Sequence, residues 1–383
     1  MNRKIRMGMV GGGPGAFIGA VHRIAARMDG QIELVCGAFS SHPEKSKQAG
    51  EELFLDPGRV YNSYAEMFEK ESRLPKGERM DFVSIVTPNH LHFDPAKMAL
   101  EHGFHVVSDK PMTFNLDEAE KLKAIVDKTG LLFCLTHTYT GYPMIKQARH
   151  FIKDGKLGKI RKVYVEYPQG WLSTPLETEG NKQASWRTDP KKSGMAGSLG
   201  DIGTHAANLA EYVSGLKIVK VCADINIVVP GRALDDDDAV LLKFDNAASG
   251  VLIATQIAAG EENCLKIRVY GEKGGIEWKQ DDANTLLVKW LDKPAEIIRT
   301  GGPGNYPEVL FNTRTPAGHP EGYLEAFANL YRNFALCLCA GLNHEAPKPE
   351  WLDFPGVEDG VRGMLFIEKV IESGRSERKW IEV

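Results

Sequence analysis

Apolar residues in the first third of the chain follow two rhythms. Short, nearly unbroken apolar runs at 5–10, 32–39, 81–88, 104–111 and 131–139 read as strands. Between them, residues 17–28, 93–103 and 116–130 place apolar groups at helical spacing. Pro95 falls in a first helical turn, and Gly103 and Gly130 fall at helix ends. Strands that are apolar on both faces and separated by helices predict a parallel sheet covered on both sides.

Past about residue 140 the rhythm changes. Residues 160–172, 220–229, 239–260 and 264–280 are strand-like, with hairpin-type turns such as FDNAAS and YGEKGG. Helices are expected at 144–154, 201–214 and 321–340, and an amphipathic helix with a short tail from Val357. The predicted class is α/β. A doubly wound parallel sheet spans 1–140, and a second α/β domain with a large, mostly antiparallel open sheet spans 141–383. The acidic run LDDDD at 234–238 reads as a solvated turn before a strand.

Composition narrows the function. The 383 residues carry a net charge of −4, which argues against a nucleic-acid partner. Six cysteines without a CxxC pair read as reduced thiols rather than a disulfide framework. The chain shows neither an apolar leader nor an 18-residue apolar run, so no membrane association and a cytoplasmic location are expected.

The stretch VGGGPGAF joins the first strand to the first helix. Gly11, Gly13 and Ala16 have the spacing of a Rossmann dinucleotide loop, which assigns them a tight turn, a close pyrophosphate approach and close helix packing. Pro14, Gly15 and Phe17 complete the loop at the helix N-terminus, where free N–H groups favour anions. Glu33 has roughly the spacing of a ribose-binding acid but lies at the start of the second strand, so it reads as structural. The strand tip offers Ser40, Ser41 and Lys45 instead. Hydroxyls suit the ribose of NAD, and a serine–lysine pair also suits the 2′-phosphate of NADP. The lack of an arginine there favours NAD and leaves NADP open.

Three polar clusters stand apart. In SDKPMT, Lys110 lies at a parallel-strand tip, and Pro111 holds it extended. In GDIGTHAANL, Asp201 and His205 are four apart and share a helix face, where a carboxylate can orient a general base. In RTPAGHPEGYLEAF, His319 sits on a proline- and glycine-rich loop that could wall a pocket. The plainer readings are a surface lysine, a capping aspartate with a packed histidine, and a helix-entry loop. NHLH at 89–92 lacks the spacing of a metal set, and no metal is expected.

Together VGGGPGAFIG, TPNHLH, SDKPMT, WRTDP and GDIGTHAANL stand in the order of the Gfo/Idh/MocA oxidoreductases, a family the whole chain resembles. The usual Glu-Lys-Pro is Asp109-Lys110-Pro111, and Asn208 replaces a frequent aspartate. THTYTGYP and the His319 segment are most similar to sugar dehydrogenases of the levoglucosan dehydrogenase type. The resemblance implies hydride transfer between a nicotinamide and a carbinol carbon of a sugar or cyclitol. Lys110, Asp201 and His205 would be the catalytic set, with either His205 or Lys110 as proton acceptor. It implies cofactor contacts at Thr87, Pro88, Asn89, His92, Asp109, Lys110, Trp186 and Arg187. Substrate contacts would come from Lys110, Tyr139, Tyr142, Gln169, Trp171, Arg187, Asp201, His205 and His319. A homodimer or homotetramer through the C-terminal sheet is implied as well. Two other functions share the fold: a glycosidase that oxidises its sugar transiently, and a non-catalytic dinucleotide-binding regulator.

Overall fold

The structure, a computed structural model, describes residues 3–383. The chain divides into two compact units. One runs to Thr138 and takes in Phe327–Val361; the other comprises Tyr139–Ala326 and Arg362–Val383.

The first unit alternates strand and helix: β1 (Ile5–Gly11), α1 (Phe17–Met28), β2 (Ile32–Ala38), α2 (Pro43–Glu52), α3 (Tyr64–Arg73), β3 (Phe82–Val86), α4 (Phe93–Glu101), β4 (His105–Ser108), α5 (Leu116–Thr129) and β5 (Phe133–Leu135). The strands form one parallel sheet in the order β2-β1-β3-β4-β5. Every residue of β3 is buried, as expected for a strand covered on both faces. Local caps start the helices: Ser63 accepts the Glu66 N–H at 3.1 Å, and Asn115 accepts that of Glu118 at 2.9 Å.

The second unit is built from α6 (Pro143–Lys153), β6 (Ile160–Pro168), α7 (Lys182–Arg187), α8 (Pro190–Ser193), α9 (Thr204–Ser214), β7 (Ile218–Asn226), β8 (Asp237–Phe244), β9 (Ser249–Thr255), β10 (Lys266–Gly271), β11 (Gly274–Lys279), β12 (Thr285–Trp290), β13 (Glu296–Arg299) and α10 (Pro307–Phe311). The chain continues with α11 (Tyr323–Leu342), which from Phe327 lies in the first unit, α12 (Val357–Arg375), which from Arg362 lies in the second, and β14 (Trp380–Glu382). The nine-stranded sheet runs β13-β12-β11-β10-β6-β9-β8-β7-β14 and is antiparallel except where β6 meets β9. Along β8, Asp238, Val240, Leu242 and Phe244 are buried while Ala239, Leu241 and Lys243 are exposed, so one face packs and the other is open.

Three features differ from the expected pattern. First, Phe327–Val361 belongs to the first unit, although the sequence boundary at 140 gives it to the second domain. Its apolar face fills that unit's core: Phe334 packs 5.1 Å from the Phe82 ring. The Tyr331 hydroxyl meets His22 Nδ1 at 2.7 Å and Ser84 Oγ at 2.9 Å. Second, the helix expected at 201–214 is preceded by a π-type turn over 199–203. Third, the acidic run is not a solvated turn, because Asp235, Asp236 and Asp238 are buried. The Asp236 carboxylate accepts the N–H groups of Val228 and Val229 at 2.7 and 3.0 Å and pairs with Arg232 at 3.1 Å.

Among the described residues no helix is long and apolar enough to cross a membrane. No group of three or more metal-ligating side chains is gathered there either.

Candidate functional site

The glycine loop leaves β1 and turns at Gly11, whose φ is +86°. Gly13 N–H donates to Phe39 O at 3.1 Å, and a Cβ on Gly13 would stand 2.7 Å from that oxygen. Gly13 therefore admits the tip of β2. The close helix approach assigned to Ala16 is made by Gly19, where a Cβ would lie 2.4 Å from Gly12 Cα. At Ala16 no side chain caps α1, and Phe17, its first residue, is 64% exposed. Uncapped N–H groups at the positive end of a 12-residue helix fit a pyrophosphate. At the tip of β2, Ser40 Oγ accepts the His42 N–H at 3.2 Å, and Ser41 and Lys45 are exposed.

The tips of β3 and β4 carry the next predicted residues. Thr87 Oγ1 donates to Leu91 O at 2.9 Å, Pro88 is half-buried and Asn89 is buried. His92 is also buried, with Nδ1 2.7 Å from Pro111 O and Nε2 2.8 Å from Thr87 O. Burial lowers its pKa. The imidazole thus braces two loop backbones. Asp109 Oδ1 accepts the Lys110 N–H at 2.9 Å and the Thr136 hydroxyl at 3.0 Å, so the shortened acid sets the backbone that presents Lys110. Sequence reasoning missed His137, just past β5. Burial, followed by the charge of Lys110, depresses its pKa to about 3. A neutral imidazole thus lies in the field of Lys110. The signal was the polar THT that follows an apolar strand.

In the second unit α7 presents Trp186 and Arg187. Arg187 Nε lies 3.1 Å from Asp201 Oδ2, and Nη1 donates to Gln183 Oε1 at 2.6 Å. Its guanidinium stands 4.2 Å from the Trp186 ring centre and 5.8 Å from that of Trp171. Gln256 Nε2 donates to Asp201 Oδ2 at 3.0 Å and to Gln169 Oε1 at 3.1 Å. Trp171 Nε1 also donates to Gln169 Oε1, at 3.0 Å. Asn263 Oδ1 accepts from Gln169 at 2.5 Å and from the Tyr167 hydroxyl at 2.8 Å, and Tyr167 in turn meets the Tyr139 hydroxyl. His205 is buried edge-on against Tyr139, with ring centres 4.8 Å apart. Burial raises the pKa of both tyrosines and keeps them neutral.

This network brings together Asp201, Arg187, Gln169, Trp171 and Tyr139, all candidates named from the sequence, and adds Gln183, Gln256, Asn263 and Tyr167. Gln256, just after β9, and Asn263, just before β10, escaped because a single carboxamide carries no local pattern. Asp201 lies in the π-type turn that leads into α9, and His205 is the second residue of α9. Asp201 engages Arg187 and Gln256. Tyr142 is a packing residue, buried and 5.2 Å from the Trp278 ring. His319 lies on an exposed loop, with Nδ1 3.2 Å from Pro316 O. The buried Glu321 carboxylate ties that loop by accepting the N–H groups of Arg314 and Thr315.

Residues 5–137 match the family described as oxidoreductases with an NAD-binding Rossmann fold, and residues 145–277 match the GFO/IDH/MocA C-terminal domain. An uncharacterized oxidoreductase of Bacillus subtilis, YfiI, is 33% identical over 100% of this chain and 98% of its own length. The levoglucosan dehydrogenase of Pseudarthrobacter phenanthrenivorans is 24% identical, covering 100% and 98%. An inositol dehydrogenase homologue from Azotobacter vinelandii, solved with NADH and myo-inositol, superposes with a TM-score of 0.92. It is 34% identical and covers 100% of this chain and 98% of that one.

Proposed function

Since the chain belongs to the Gfo/Idh/MocA oxidoreductase family, we propose that it oxidises a secondary hydroxyl of a neutral sugar, anhydro sugar, glycoside or cyclitol with NAD. The observation that carries this substrate class is the run of Gln169, Gln256 and Asn263 bonded to one another and to Asp201. A carboxamide both donates and accepts, as a hydroxyl does, so such a network can exchange its internal bonds for bonds to a polyol. The indole faces of Trp171 and Trp186 suit the apolar C–H faces of a pyranose or cyclitol ring.

When bound, NAD supplies the hydride acceptor. His205 takes the hydroxyl proton, since an imidazole titrates near neutral pH. Lys110 stabilises the oxygen as it gains charge, an effect worth about 3–4 kcal/mol for a well-placed donor. Arg187 neutralises Asp201 and keeps the carboxylate available to a substrate hydroxyl. Asp109 and His92 position the loop backbones that carry Lys110 and Thr87. NAD is favoured over NADP because Ser40 and Ser41, without an arginine, occupy the tip of β2; Lys45 is the group that would favour NADP.

Incubation with NAD and a panel of sugars, cyclitols and aryl glycosides, read both for NADH and for released aglycone, tests the reading. Accumulating NADH is expected. Aglycone without NADH would assign a redox glycosidase, and neither product would leave a dinucleotide-binding regulator. Six free thiols suit a reducing cytoplasm. The open face of the nine-stranded sheet is the surface we assign to a homodimer or homotetramer, for which sedimentation gives the mass.

A further inference from the structure

The acidic turn before β8 lies outside the polar network, yet it holds the segment that carries it. Asp235 O accepts the Ser198 N–H at 2.9 Å. Its carboxylate accepts those of Gly197 at 2.7 Å and Leu199 at 2.8 Å. Three consecutive amides therefore end on one residue, two positions ahead of Asp201. Gly197 permits the approach, since a Cβ there would stand 2.1 Å from Asp235 O. The same turn reaches Asp201 by a second route. Asp236 O accepts the Gln256 N–H at 2.9 Å, and the Gln256 side chain donates to Asp201.

Asp238 completes the cluster. It is 1% exposed, and its Oδ2 accepts the Ser198 hydroxyl, which also lies 3.3 Å from Asp235 Oδ2. Its Oδ1 is buried and has no hydrogen-bond partner among the described residues. Asp235 and Ser198 face it, and Asp237 adjoins it in sequence. Across the ladder stand Ile225 on β7 and Ala254 on β9, neither of which titrates. Burial, followed by the charge of Asp235, pushes the Asp238 carboxyl up to about 10.

We propose that Asp235 and Asp238 are positioning residues for Asp201 and His205: Asp235 anchors the start of their segment through its main-chain bonds, and a proton held on Asp238 lets the two carboxyls sit together. The proposal rests on the reading of Asp201 and His205 as reaction groups. Loss of the proton places two charges on one hydroxyl and loosens the anchor at alkaline pH.

Wild type is compared with D235N and D238N. In D235N, kcat for the oxidised sugar should fall at least about tenfold while NAD affinity stays unchanged, as displaced reacting groups require. Amide exchange over 197–205 should quicken. A kcat within twofold of wild type, or unchanged exchange, overturns the positioning role. If D235N fails to fold, D235E, which keeps the charge but displaces it by a methylene, is read the same way. D238N mimics the protonated acid at every pH. The unfolded chain releases this proton near pH 4 and the folded one keeps it, so wild-type stability falls as pH rises between those two limits. From pH 5 to 9 the melting temperature of wild type should therefore drop relative to D238N by at least about 2 °C. Parallel curves overturn the proton assignment. If wild type oxidises no sugar, the proposed function fails, while exchange and melting still decide this proposal.

Discussion

Single residues in this protein act through what their neighbours leave them free to do. Asp109 spends one oxygen on the Lys110 amide and on Thr136. The Lys110 backbone is thereby fixed without a ligand. Tyr139 lies edge-on against His205, which fixes the plane of the imidazole. Both groups should therefore act on the transition state rather than on cofactor binding. Lys110→Ala and His205→Ala should each lower kcat at least about a hundredfold, the scale of lost acid–base or electrostatic catalysis. NAD dissociation constants, from quenching titrations, should stay within about twofold. Near-wild-type kcat in either variant at saturating sugar would remove its assigned role. Lys110, Asp201 and His205 stood out as candidates because a lysine–proline at a strand tip and D-x-x-x-H are local patterns. Gln256 and Asn263 did not, because only long-range pairing brings them into the network around Asp201, and His137 did not, because burial alone sets it apart.

Elements were readable where a long periodic pattern met a terminal signal. Helix α1 begins and ends where its apolar spacing does, and α5 runs from the Asn115 cap to Gly130 at φ +64°. The sheet-edge strands β13 and β14 and the polar helix α2 gave too few apolar positions to register. The acidic run misled for a different reason: charge predicts solvent unless folding supplies partners. Here backbone donors and Arg232 supply them. The Arg232 side chain is 2% exposed and bonds both Glu177 Oε1, at 3.0 Å, and Asp236 Oδ2, at 3.1 Å. Arg232→Met should leave two acids without their cation. The expected cost is about 3–5 kcal/mol, the range for breaking a buried pair by removing one partner. Urea unfolding measures it, and a loss below about 1 kcal/mol would show that the turn does not depend on this pair.

Across the whole molecule, buried ionisable groups give the two units opposite responses to pH. In the first, burial depresses His22 and His105 to about 4 and His137 to about 3. Each takes up a proton on unfolding below about pH 6.5, so stability is present above that pH and is lost as pH falls. The slope is about 1.4 kcal/mol per pH unit for each group. In the second unit, Asp238 acts in the reverse sense. Stability should be greatest near pH 6.5–7. Calorimetric scans from pH 4 to 9 should show it declining on both sides, steeply towards acid. A flat acid limb would mean that these histidines titrate normally in the folded chain. None of this was visible in the sequence, where eleven histidines look alike and burial alone separates them.

The assignment of Phe327–Val361 to the first unit bears on how the chain can be divided for engineering. Its boundaries fall after Thr138, Ala326 and Val361, so the polypeptide changes unit three times. A cofactor module cut out at residue 140 would lose Phe334 from against Phe82, and Tyr331 from against His22 and Ser84. The excised piece would present a bare apolar face and a buried histidine without its phenol. Expressed alone, residues 1–140 should aggregate or bind hydrophobic dyes. The same piece with 327–361 joined by a flexible linker should be soluble and melt cooperatively. Equal behaviour of the two fragments would mean that the returning segment is dispensable. Grafting this cofactor module onto another substrate module would therefore mean transplanting two stretches of the gene together.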